Sequence, residues 1–542
     1  MMDSRAQELI KQGDFLFGKK TTLLSLWQET AENFYPERAD FTVCRTLGSE
    51  FADHLMTSYP TLARRELGDA FATMLRRGKW FNLTVGENSP NQQAKVWLEW
   101  ARDIQYRAMY DKRTQFVKAT KQGDHDYAAF GQCAISVELN KNADGLLYRC
   151  WHLRDMAWCE NADGAIDTVH RKWKPTARDL KHLFRDKVSD KVNSMLEKDP
   201  YKEVNCRHIV IPSEEYDTGK KNAAPYVSVY IDVDNQHVME ETPSFDRIYC
   251  LPRWQTVSGS QYAYSPATIV ALPDARLIQS ITRVLLEAGE KAVDPPMVAS
   301  REVFRDDFNL MAGGITWADI ELDTDIRNVI AEFGKTSSLP AGINIRDDVR
   351  AMIHQAFYLN SLTLPDTSGM TAYEVSQRVQ EYIRQATPLF SPMEPEYNGD
   401  LCDMTFNKLM RAGAFGSVYD IPQSLQGEDV QFTFESPLQA AIGQEKQGQA
   451  QAVAQILLGA AQMEQTPGAV NVDINGMIRD TISGSGAPAK WLRSEDEVAQ
   501  IMQQQQAQQQ AATEAAQLQQ GAQVVNDMAN AAQSVQTLQG AA

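Results

Sequence analysis

Two short stretches of the sequence resemble motifs that bind a nucleotide or carry a nucleophile. "EFGKTSS" at 332–338 is similar to the end of a phosphate-binding loop, but the first glycine of that motif falls at Val329 and no strong strand precedes it. "SGSG" at 483–486 has the spacing of a nucleophile elbow but lacks the strand, turn and helix that expose the serine. The sequence therefore predicts neither a nucleotide site nor acyl transfer at these positions.

Charged residues form two further candidate sites. "DHD" at 124–126 could supply metal ligands, and the alternative is a polar face of a helix. A basic run could contact a phosphate backbone, but Glu66 and Asp69 interrupt it, so a solvated or intersubunit face is the alternative. The basic residues are Arg64, Arg65, Arg76, Arg77 and Lys79. Since no acid–base, nucleophile or metal constellation emerges, we expect no catalytic residues, no metal, no cofactor and no enzymatic activity.

The composition limits the class of protein. A chain of 542 residues is too long for one hydrophobic core, so we expect two to four packed regions. The formal net charge of −18 argues against a protein that grips nucleic acid over a broad surface, because such binding needs clustered Lys and Arg.

The cysteines and the hydropathy of the sequence indicate the kind of cellular compartment in which the protein occurs. The seven cysteines form no CxxC pair, and no apolar signal segment opens the chain, so we expect a reducing compartment without a disulfide framework. No stretch of about 18 apolar residues occurs, so we expect no membrane span.

The first 260 residues predict a mixed, mainly antiparallel α+β region. Residues 3–35 have helical character that ends before Pro36, and further helical segments follow. From Gly131 the apolar period changes from helical to alternating, and "NADG" at 161–164 supplies a turn between two strand-like stretches.

A long helix is predicted to begin at Ser265–Pro266 and to be kinked or restarted at Pro273. Its part from 273 to 291 would be about 28 Å long, and a second predicted helix at 346–362 would be about 26 Å long. Several apolar residues of the first helix share a helical spacing. They are Leu277, Ile278, Ile281, Val284, Leu285 and Ala288.

The segment 292–345 separates the two helices and contains short strand-like pieces. Matched helices with such an insertion predict an antiparallel pair that carries a compact module at its far end. The loop 363–370 then lies at the opposite end. It has no Lys or Arg, and Thr371 with Glu374 has the spacing of a capping box for the next helix.

The C-terminal part is rich in Gln and Ala. From Gln503 to Gln523 almost every residue is one of these two types, which favour helix, but no apolar stripe stands out. This segment is either a disordered terminus or a helix that orders only against neighbouring chains.

Several of these stretches together resemble one known family, the portal proteins or head-to-tail connectors of short-tailed bacteriophages. The resemblance runs from about residue 24 to about residue 498, with its motifs in the same order. They are "LWQETAENFYPERADFT" (26–42), "SYPTLARRELGDAFATMLRRGKWF" (58–81), "YSPATIVALPDARLIQ" (264–279), "DPPM" (294–297), "PDTSGMTAYEVSQRVQE" (365–381) and "LRSEDEV" (492–498).

The resemblance implies a helix-rich α+β portal fold in which each subunit of a ring has a wing, a two-helix stem, a clip and a helical crown. The implied boundaries are wing 1–264 and 371–429, stem 265–291 and 346–362, clip 292–345, channel loop 363–370, and crown with Gln/Ala tail 430–542.

The resemblance also implies a function. A ring of twelve subunits at one capsid vertex would be the conduit for packaging, retaining and ejecting double-stranded DNA. Its implied partners are the large terminase subunit, tail adaptor or nozzle proteins, and capsid and scaffolding proteins. The protein would belong to the virion and assemble in the host bacterial cytoplasm. Another ring-forming tail adaptor or connector is the alternative, and an enzyme of unknown class is a further one.

Two sets of residues become candidate sites under this resemblance. In a ring, the loop between stem and wing would project into the channel, and a loop without cations would touch DNA without holding it. This set is Leu364, Pro365, Asp366, Thr367, Ser368, Gly369 and Met370. The clip would dock the packaging and tail proteins. That set is Asp294, Pro295, Pro296, Met297, Arg301 and Arg305.

Overall fold

The computed structural model describes most of the chain up to residue 434. The described residues are 2–46, 48–76, 78–86, 91–140, 142–216, 224–293, 297–299, 330–332, 339–359, 393–417, 420–434, 500–501 and 503–504. The chain divides into two compact units, and most described elements belong to the first. Unit 1 comprises Met1–Trp80, Ile104–Phe415 and Phe434–Gln439, and unit 2 comprises Phe81–Asp103, Gly416–Thr433 and Ala440–Ala542.

The helical N-terminal region consists of two helices, α1 (Met2–Lys19) and α2 (Thr21–Phe34). The chain leaves the helix between them at Lys20, whose side chain is buried. Its ammonium group donates hydrogen bonds to the carbonyl oxygens of Leu153 at 2.8 Å and Arg154 at 3.0 Å, and also to that of Met156. Burial lowers the pKa of Lys20 to about 7, and three carbonyl acceptors favour the ammonium form.

Eight further α-helices follow, among the residues described. They are α3 (Tyr59–Leu75), α4 (Gln92–Met109), α5 (Phe116–Phe130), α6 (Ala177–Phe184), α7 (Asp190–Lys198), α8 (Pro266–Val293), α9 (Leu339–Ala356) and α10 (Asp400–Arg411). A turn of π-helix, Glu394–Gly399, leads directly into α10. Helices α6 and α7 begin at Thr176 and Ser189, whose hydroxyl groups accept from the backbone N–H groups of the first turn, as expected of N-caps.

The strands of unit 1 form two main antiparallel sheets. One has five strands in the order β4 (Met156–Glu160), β5 (Ile166–Trp173), β6 (Cys206–Pro212), β7 (Tyr226–Asp232) and β8 (His237–Ser244). The other has three in the order β3 (Leu146–Cys150), β2 (Ile135–Leu139) and β9 (Tyr249–Cys250). The prediction of a helix-rich α+β fold is confirmed.

Short two-stranded sheets complete the described strands. In unit 1, β10 (Gln255–Thr256) pairs with β11 (Ala263–Tyr264), and β12 (Met297–Ala299) pairs with β13 (Ile330–Glu332). A further sheet pairs β1 (Phe81–Val85) with β14 (Val430–Phe434), and all but the last residue of these strands belong to unit 2.

The five-stranded sheet packs against helices on both faces, because successive side chains of each strand point to opposite faces. Ile209, Val229 and Ile231 point toward Leu9 of α1. On the opposite face, the residues at one end of the sheet pack against α6 and α7 through Leu180, Phe184 and Val192. The sheet is therefore an internal layer of unit 1.

An aromatic cluster joins the N-terminal helices to α5 and the sheet. Trp27 lies 5.5 Å from Phe41 and 6.1 Å from Phe130, and Trp158 lies 4.6 Å from Tyr262, measured between ring centroids. All are buried in one core. Burying one large apolar side chain stabilises a fold by about 1.5–3 kcal/mol, so this cluster fixes α2 and α5 firmly against β4.

Three histidines of unit 1 are largely enclosed by protein. His208 lies between the hydroxyl of Ser228 at 2.8 Å and that of Tyr249 at 2.5 Å. Burial lowers the pKa of His208 well below its ordinary value, that of His170 to about 3, and that of His125 to about 4. Nearby Arg64 and Arg207 lower the pKa of His125 and His170 further.

Because of these histidines, we expect the folded chain to lose stability at pH values above those at which carboxylates titrate. Their folded pKa values lie below the unfolded value of about 6.5, so the unfolded chain binds more protons as the pH falls below about 7. We expect the free energy of unfolding from urea titrations to fall between about pH 7 and pH 5.5, with linked uptake of about two to three protons per chain.

His170→Gln should reduce that uptake by about one proton. An unfolding free energy that stays flat over this pH range would show that the three imidazoles are not neutral in the folded chain.

Candidate functional site

Helices α8 and α9 form an antiparallel pair, which we call the stem. Gly342, near the start of α9, faces the side chain of Leu285, near the end of α8, so closely that a Cβ at Gly342 would lie 2.8 Å from a Leu285 methyl carbon. The second helix begins at Leu339 and ends at Ala356, whereas the sequence predicts 346–362. Pro340 falls in the first turn, where a missing backbone N–H costs nothing.

Helix α8 runs without interruption from Pro266 through Pro273 to Val293. Of the two predicted alternatives at Pro273, a kink or a restart, the restart is therefore wrong. A proline within a helix removes one backbone hydrogen bond. Contacts on both sides of Pro273 hold the helix in place: Leu272 and Ala275 are buried in unit 1.

The stem starts from a rigid junction with α5. Ser265 donates a hydrogen bond to the carbonyl of Ala128 at 2.7 Å, and Thr268 donates to that of Ala129 at 2.8 Å. Gly131 ends α5 with φ = 73°, and a Cβ there would lie 2.1 Å from the backbone of Tyr264. Only glycine permits both the left-handed conformation and this close approach.

One side of the stem is fixed to the body of unit 1. The side-chain amide of Gln279 accepts from the backbone N–H groups of Met56 at 2.7 Å and Thr57 at 3.0 Å, and donates to the Thr57 carbonyl at 3.0 Å. The hydroxyl of Tyr59 donates to the carbonyl of Arg350 on α9 at 3.2 Å. The stem is therefore held through both of its helices.

The other side of the stem carries large apolar residues in contact with solvent. On α8 three of them recur every seven residues, at Val270, Leu277 and Val284, with exposed fractions of 62%, 44% and 62%. Ile269 and Leu286 of α8 and Ile343 of α9 are exposed as well and fall outside this spacing. On α9, Ile345 and Met352 are also seven residues apart, with exposed fractions of 51% and 46%. A spacing of seven residues is about two helical turns, so each set forms a row along its helix.

The two rows lie on the same side of the stem. Leu277 directly precedes the buried Ile278, and Met352 directly precedes the buried Ile353. In an antiparallel pair of helices, residues that directly precede buried positions of the pair point to the same side. The row on α8 and the row on α9 therefore lie on one side of the stem. Together the five residues form what we call the stem apolar face.

The sequence presents the apolar residues of α8 as a single set, whereas the structure divides them. Ile278 is buried and Leu285 packs near α9, but Leu277 and Val284 are exposed. The sequence contains evidence for this division in two pairs of adjacent apolar residues, 277–278 and 284–285. Adjacent residues of a helix cannot point to the same side of it.

Arg64 and Arg76 of the basic run contact the "DHD" stretch inside unit 1, so Asp124 and Asp126 are not a polar helix face in contact with solvent. Arg76 donates to both carboxylate oxygens of Asp124 at 2.9 and 2.8 Å. Arg64 contacts His125 at 3.0 Å, and Arg38 donates to Asp126 at 3.1 and 2.7 Å. Asp124 and Asp126 are each only 1% exposed, so these are internal pairs of unit 1.

The structure describes two of the other three residues of the basic run. Arg65 is exposed and lies 3.9 Å from Asp69. Lys79 also lies within the described part of the chain, whereas Arg77 lies outside it. Among the described residues, no group of three or more His, Cys, Asp or Glu side chains could hold a metal ion. In that same part of the chain, no helix is both long enough and apolar enough to cross a membrane.

A sequence model for one protein family matches almost the whole chain. It is described as "Bacteriophage head to tail connecting protein" and it matches residues 6–492. The chain belongs to this family. Head to tail connecting proteins are structural components that join the phage head to the tail.

Two curated relatives carry a more specific name. The "Probable portal protein" of Bordetella phage BPP-1 is 24% identical over 448 residues, which cover 78% of this chain and 77% of that protein. The "Portal protein" of Salmonella phage epsilon15 is 22% identical over 443 residues and covers 78% of both chains. These matches confirm the resemblance to portal proteins of phages.

A search of solved structures adds a remote likeness. A chain from "Neck of empty GTA particle computed with C6 symmetry" has a TM-score of 0.36 and 9% identity, and the match covers 74% of this chain and 90% of that one.

The predicted site residues of this head to tail connecting protein fall mostly outside the described residues. Met297 opens β12, whose backbone pairs with β13 in the register Met297↔Glu332. All seven residues of the predicted channel loop (364–370) lie outside the description, as do Thr371 and Glu374. So do the remaining clip residues, Asp294, Pro295, Pro296, Arg301 and Arg305.

The Arg76–Asp124 pair gives a stability prediction for this family member. Burial raises the pKa of Asp124, and the guanidinium group of Arg76 opposes that change and keeps the carboxylate charged. Removing only the cation in Arg76→Met should lower the free energy of unfolding by about 3–5 kcal/mol, because a buried charge loses its partner. Chemical denaturation of the purified chain measures this loss.

The double variant Arg76→Met with Asp124→Leu should recover a large part of the loss, since no unpaired charge remains. The exposed Arg65→Met is the matched control and should change stability by less than about 0.5 kcal/mol. Equal losses for Arg76→Met and Arg65→Met would contradict the ion-pair account.

Proposed function

We propose that this head to tail connecting protein forms a closed ring at one vertex of the phage capsid, and that double-stranded DNA enters and leaves through the ring. The observation that supports this most directly is the stem apolar face. Portal proteins are also the named relatives over most of the chain, which favours a portal over another ring-forming tail adaptor.

The stem apolar face needs a partner. It presents five large apolar side chains, each more than two-fifths exposed, on the side of the stem opposite its contacts with unit 1. Apolar rows at this spacing are typical of helices that pack against a neighbouring helix. In the proposed ring, the neighbour is the stem of the next subunit.

A closed ring accounts for the asymmetry of the stem. In cyclic assemblies with more than two subunits, each interface joins two different surfaces and the series closes after a full rotation. The stem apolar face of one subunit would pack against another side of the adjacent stem. Each such contact would bury surface that the single chain leaves in water, and burial contributes about 25 cal/mol per Å² of apolar area.

In the proposed channel, the loop between stem and wing would contact DNA without binding it tightly. The loop 363–370 carries Asp366 and no Lys or Arg. Duplex DNA has one negative charge about every 1.7 Å along its axis, and cations in contact with it would release counterions and bind tightly. An acidic or neutral lining lets the duplex slide, as packaging and ejection require.

The remaining roles concern partners at the two ends of the ring. We assign the segment 292–345, including Asp294, Pro295, Pro296, Met297, Arg301 and Arg305, to docking of the large terminase subunit and later of tail adaptor or nozzle proteins. The α+β wing would contact capsid and scaffolding proteins. Twelve subunits are proposed, assembled in the host cytoplasm and retained in the virion.

The first test concerns assembly. The double variant Leu277→Asp with Val284→Asp places two charges in the middle of the stem apolar face. Because each charge would have to be buried without a partner, we expect the ring to dissociate into monomers, as measured by native mass spectrometry at micromolar concentration.

Ser280→Asp is the matched control, because Ser280 is exposed on the same helix but is not one of the five residues of the face. It should leave the ring intact, and circular dichroism should show folded chains in all variants. If the double variant assembles like the unchanged protein, the stem apolar face is not the subunit interface.

The second test concerns the channel loop. Asp366→Lys would place a ring of cations around the duplex, so DNA packaging into purified capsids should slow or stall, and the defect should ease as the salt concentration rises. Asp366→Asn should package nearly as much DNA per capsid as the unchanged protein.

Deleting Pro365 to Gly369 and bridging the gap with a short flexible linker should leave the ring formed but impair packaging or retention of DNA. Unchanged packaging by the deletion variant would remove the channel role of the loop. If the packaging defect of Asp366→Lys does not respond to salt, the electrostatic explanation is refuted.

A further inference from the structure

A concave site lies in unit 1, away from the stem, where β3, the end of β5 and the start of α6 meet. Its volume is about 410 Å³, within the range of about 300–1,000 Å³ that is usual for ligand sites. Its lining includes Arg149, Trp173, Lys174, Pro175, Asp179, His182 and Leu183. We call it the wing groove.

The wing groove presents hydrogen-bond donors that have no acceptor in the described part of the chain. Arg149 on β3 and Lys174 after β5 are both exposed, and neither makes an ion pair or a side-chain hydrogen bond there. The indole N–H of Trp173 likewise has no partner among the described residues, although tryptophan at a half-buried position usually satisfies this group. Three donors around one concavity that have no protein acceptor in the described part of the chain favour a ligand that accepts hydrogen bonds.

The acidic residue in the groove forms no ion pair with these cations among the described residues. The carboxylate of Asp179 accepts a hydrogen bond from the hydroxyl of Thr176 at 2.8 Å, while its backbone N–H donates to that hydroxyl at 3.2 Å. This is the N-cap of α6, so Asp179 already has a structural role. Two exposed cations in one concavity, without an ion-pair partner among the described residues, suit an anion.

A third cation lies behind the tryptophan. The guanidinium carbon of Arg171 is 5.5 Å from the centre of the Trp173 ring, and Arg171 is only 4% exposed. Its Nε donates to the hydroxyl of Tyr249 at 2.8 Å, but its Nη1 is buried without a hydrogen-bond partner in the described structure. The carboxylate of Glu138, on β2, raises the pKa of Arg171, but it forms no direct ion pair with Arg171 among the described residues.

The apolar part of the groove is rigid. The Trp173 ring packs against Phe184 at 6.4 Å and Tyr230 at 6.2 Å between centroids, so it is held in one orientation. Leu183 is 49% exposed and, with Pro175, adds an aliphatic wall. A fixed tryptophan beside an available arginine is the combination that dominates binding energy at protein interfaces.

We propose that the wing groove binds an acidic segment of a partner protein. A carboxylate of the segment would accept hydrogen bonds from Arg149, Lys174 and the Trp173 indole, and a neighbouring apolar or aromatic side chain would pack on Trp173 and Leu183. Arg149 can bind both oxygens of a carboxylate through its planar guanidinium group.

A peptide fits the groove better than a nucleic acid does. Nucleic-acid surfaces need a track of cations that follows successive phosphates, whereas this site has two available cations with Asp179 beside them. The site is also concave, which a side chain can enter and the convex surface of a duplex cannot.

The experiment uses the full chain and a fluorescently labelled decapeptide in which Asp and Phe alternate. We expect its fluorescence anisotropy to rise on titration with the protein. Replacing every Asp of the peptide by Asn should weaken binding at least tenfold, and so should the protein variant Arg149→Gln with Lys174→Gln. Both cations are exposed, so the double variant should fold normally.

Arg178→Gln is the matched control, since Arg178 is an exposed cation on α6 that does not line the groove, and binding should be unchanged. A labelled ten-residue oligothymidylate is the second probe. The proposal is overturned if the peptide fails to bind, if the Asn peptide binds equally well, or if the oligothymidylate alone binds and loses affinity in the double variant. None of these outcomes depends on ring formation.

Discussion

Three arginines from three separate places in the chain converge on three consecutive residues of α5, and the rest of unit 1 depends on this convergence. Arg76 follows α3, Arg64 lies within it, and Arg38 follows α2; together they contact residues 124–126. A buried carboxylate without its cation is costly, so any arrangement that separates these helices is strongly disfavoured. The pairs thereby fix α2, α3 and α5 relative to one another within unit 1.

The same helix positions the stem. The last carbonyls of α5 accept from Ser265 and Thr268, and the close packing at Gly131 leaves no room for α8 to shift. Gln279 and Tyr59 then attach the stem along its side. The direction of the stem is therefore determined by the packed body of unit 1, and the stem apolar face is presented at a defined angle from it.

Features determined by local chemistry could be predicted from the sequence. The Ser265–Pro266 start of α8, the change to strands after Gly131 and the α+β class depend on neighbours in the chain. Features that depend on distant residues could not. The pairing of residues 124–126 with arginines up to 88 positions away required the fold, and so did the wing groove, whose lining spans Arg149 to Leu183. Helix α9 starts at Leu339, seven residues before the predicted start at 346, with Pro340 in its first turn.

The seven-residue spacing of Val270, Leu277 and Val284 has a geometric consequence for the proposed ring. An α-helix has about 3.6 residues per turn, so a row with this period drifts by about 20° per heptad around a straight helix. Helices that pack along such rows cross at roughly 20° and are not parallel. A ring of equally inclined rods encloses a hyperboloid, narrowest at its waist. In that shape, a small common change of inclination would widen or narrow the waist while every contact between neighbouring stems is kept.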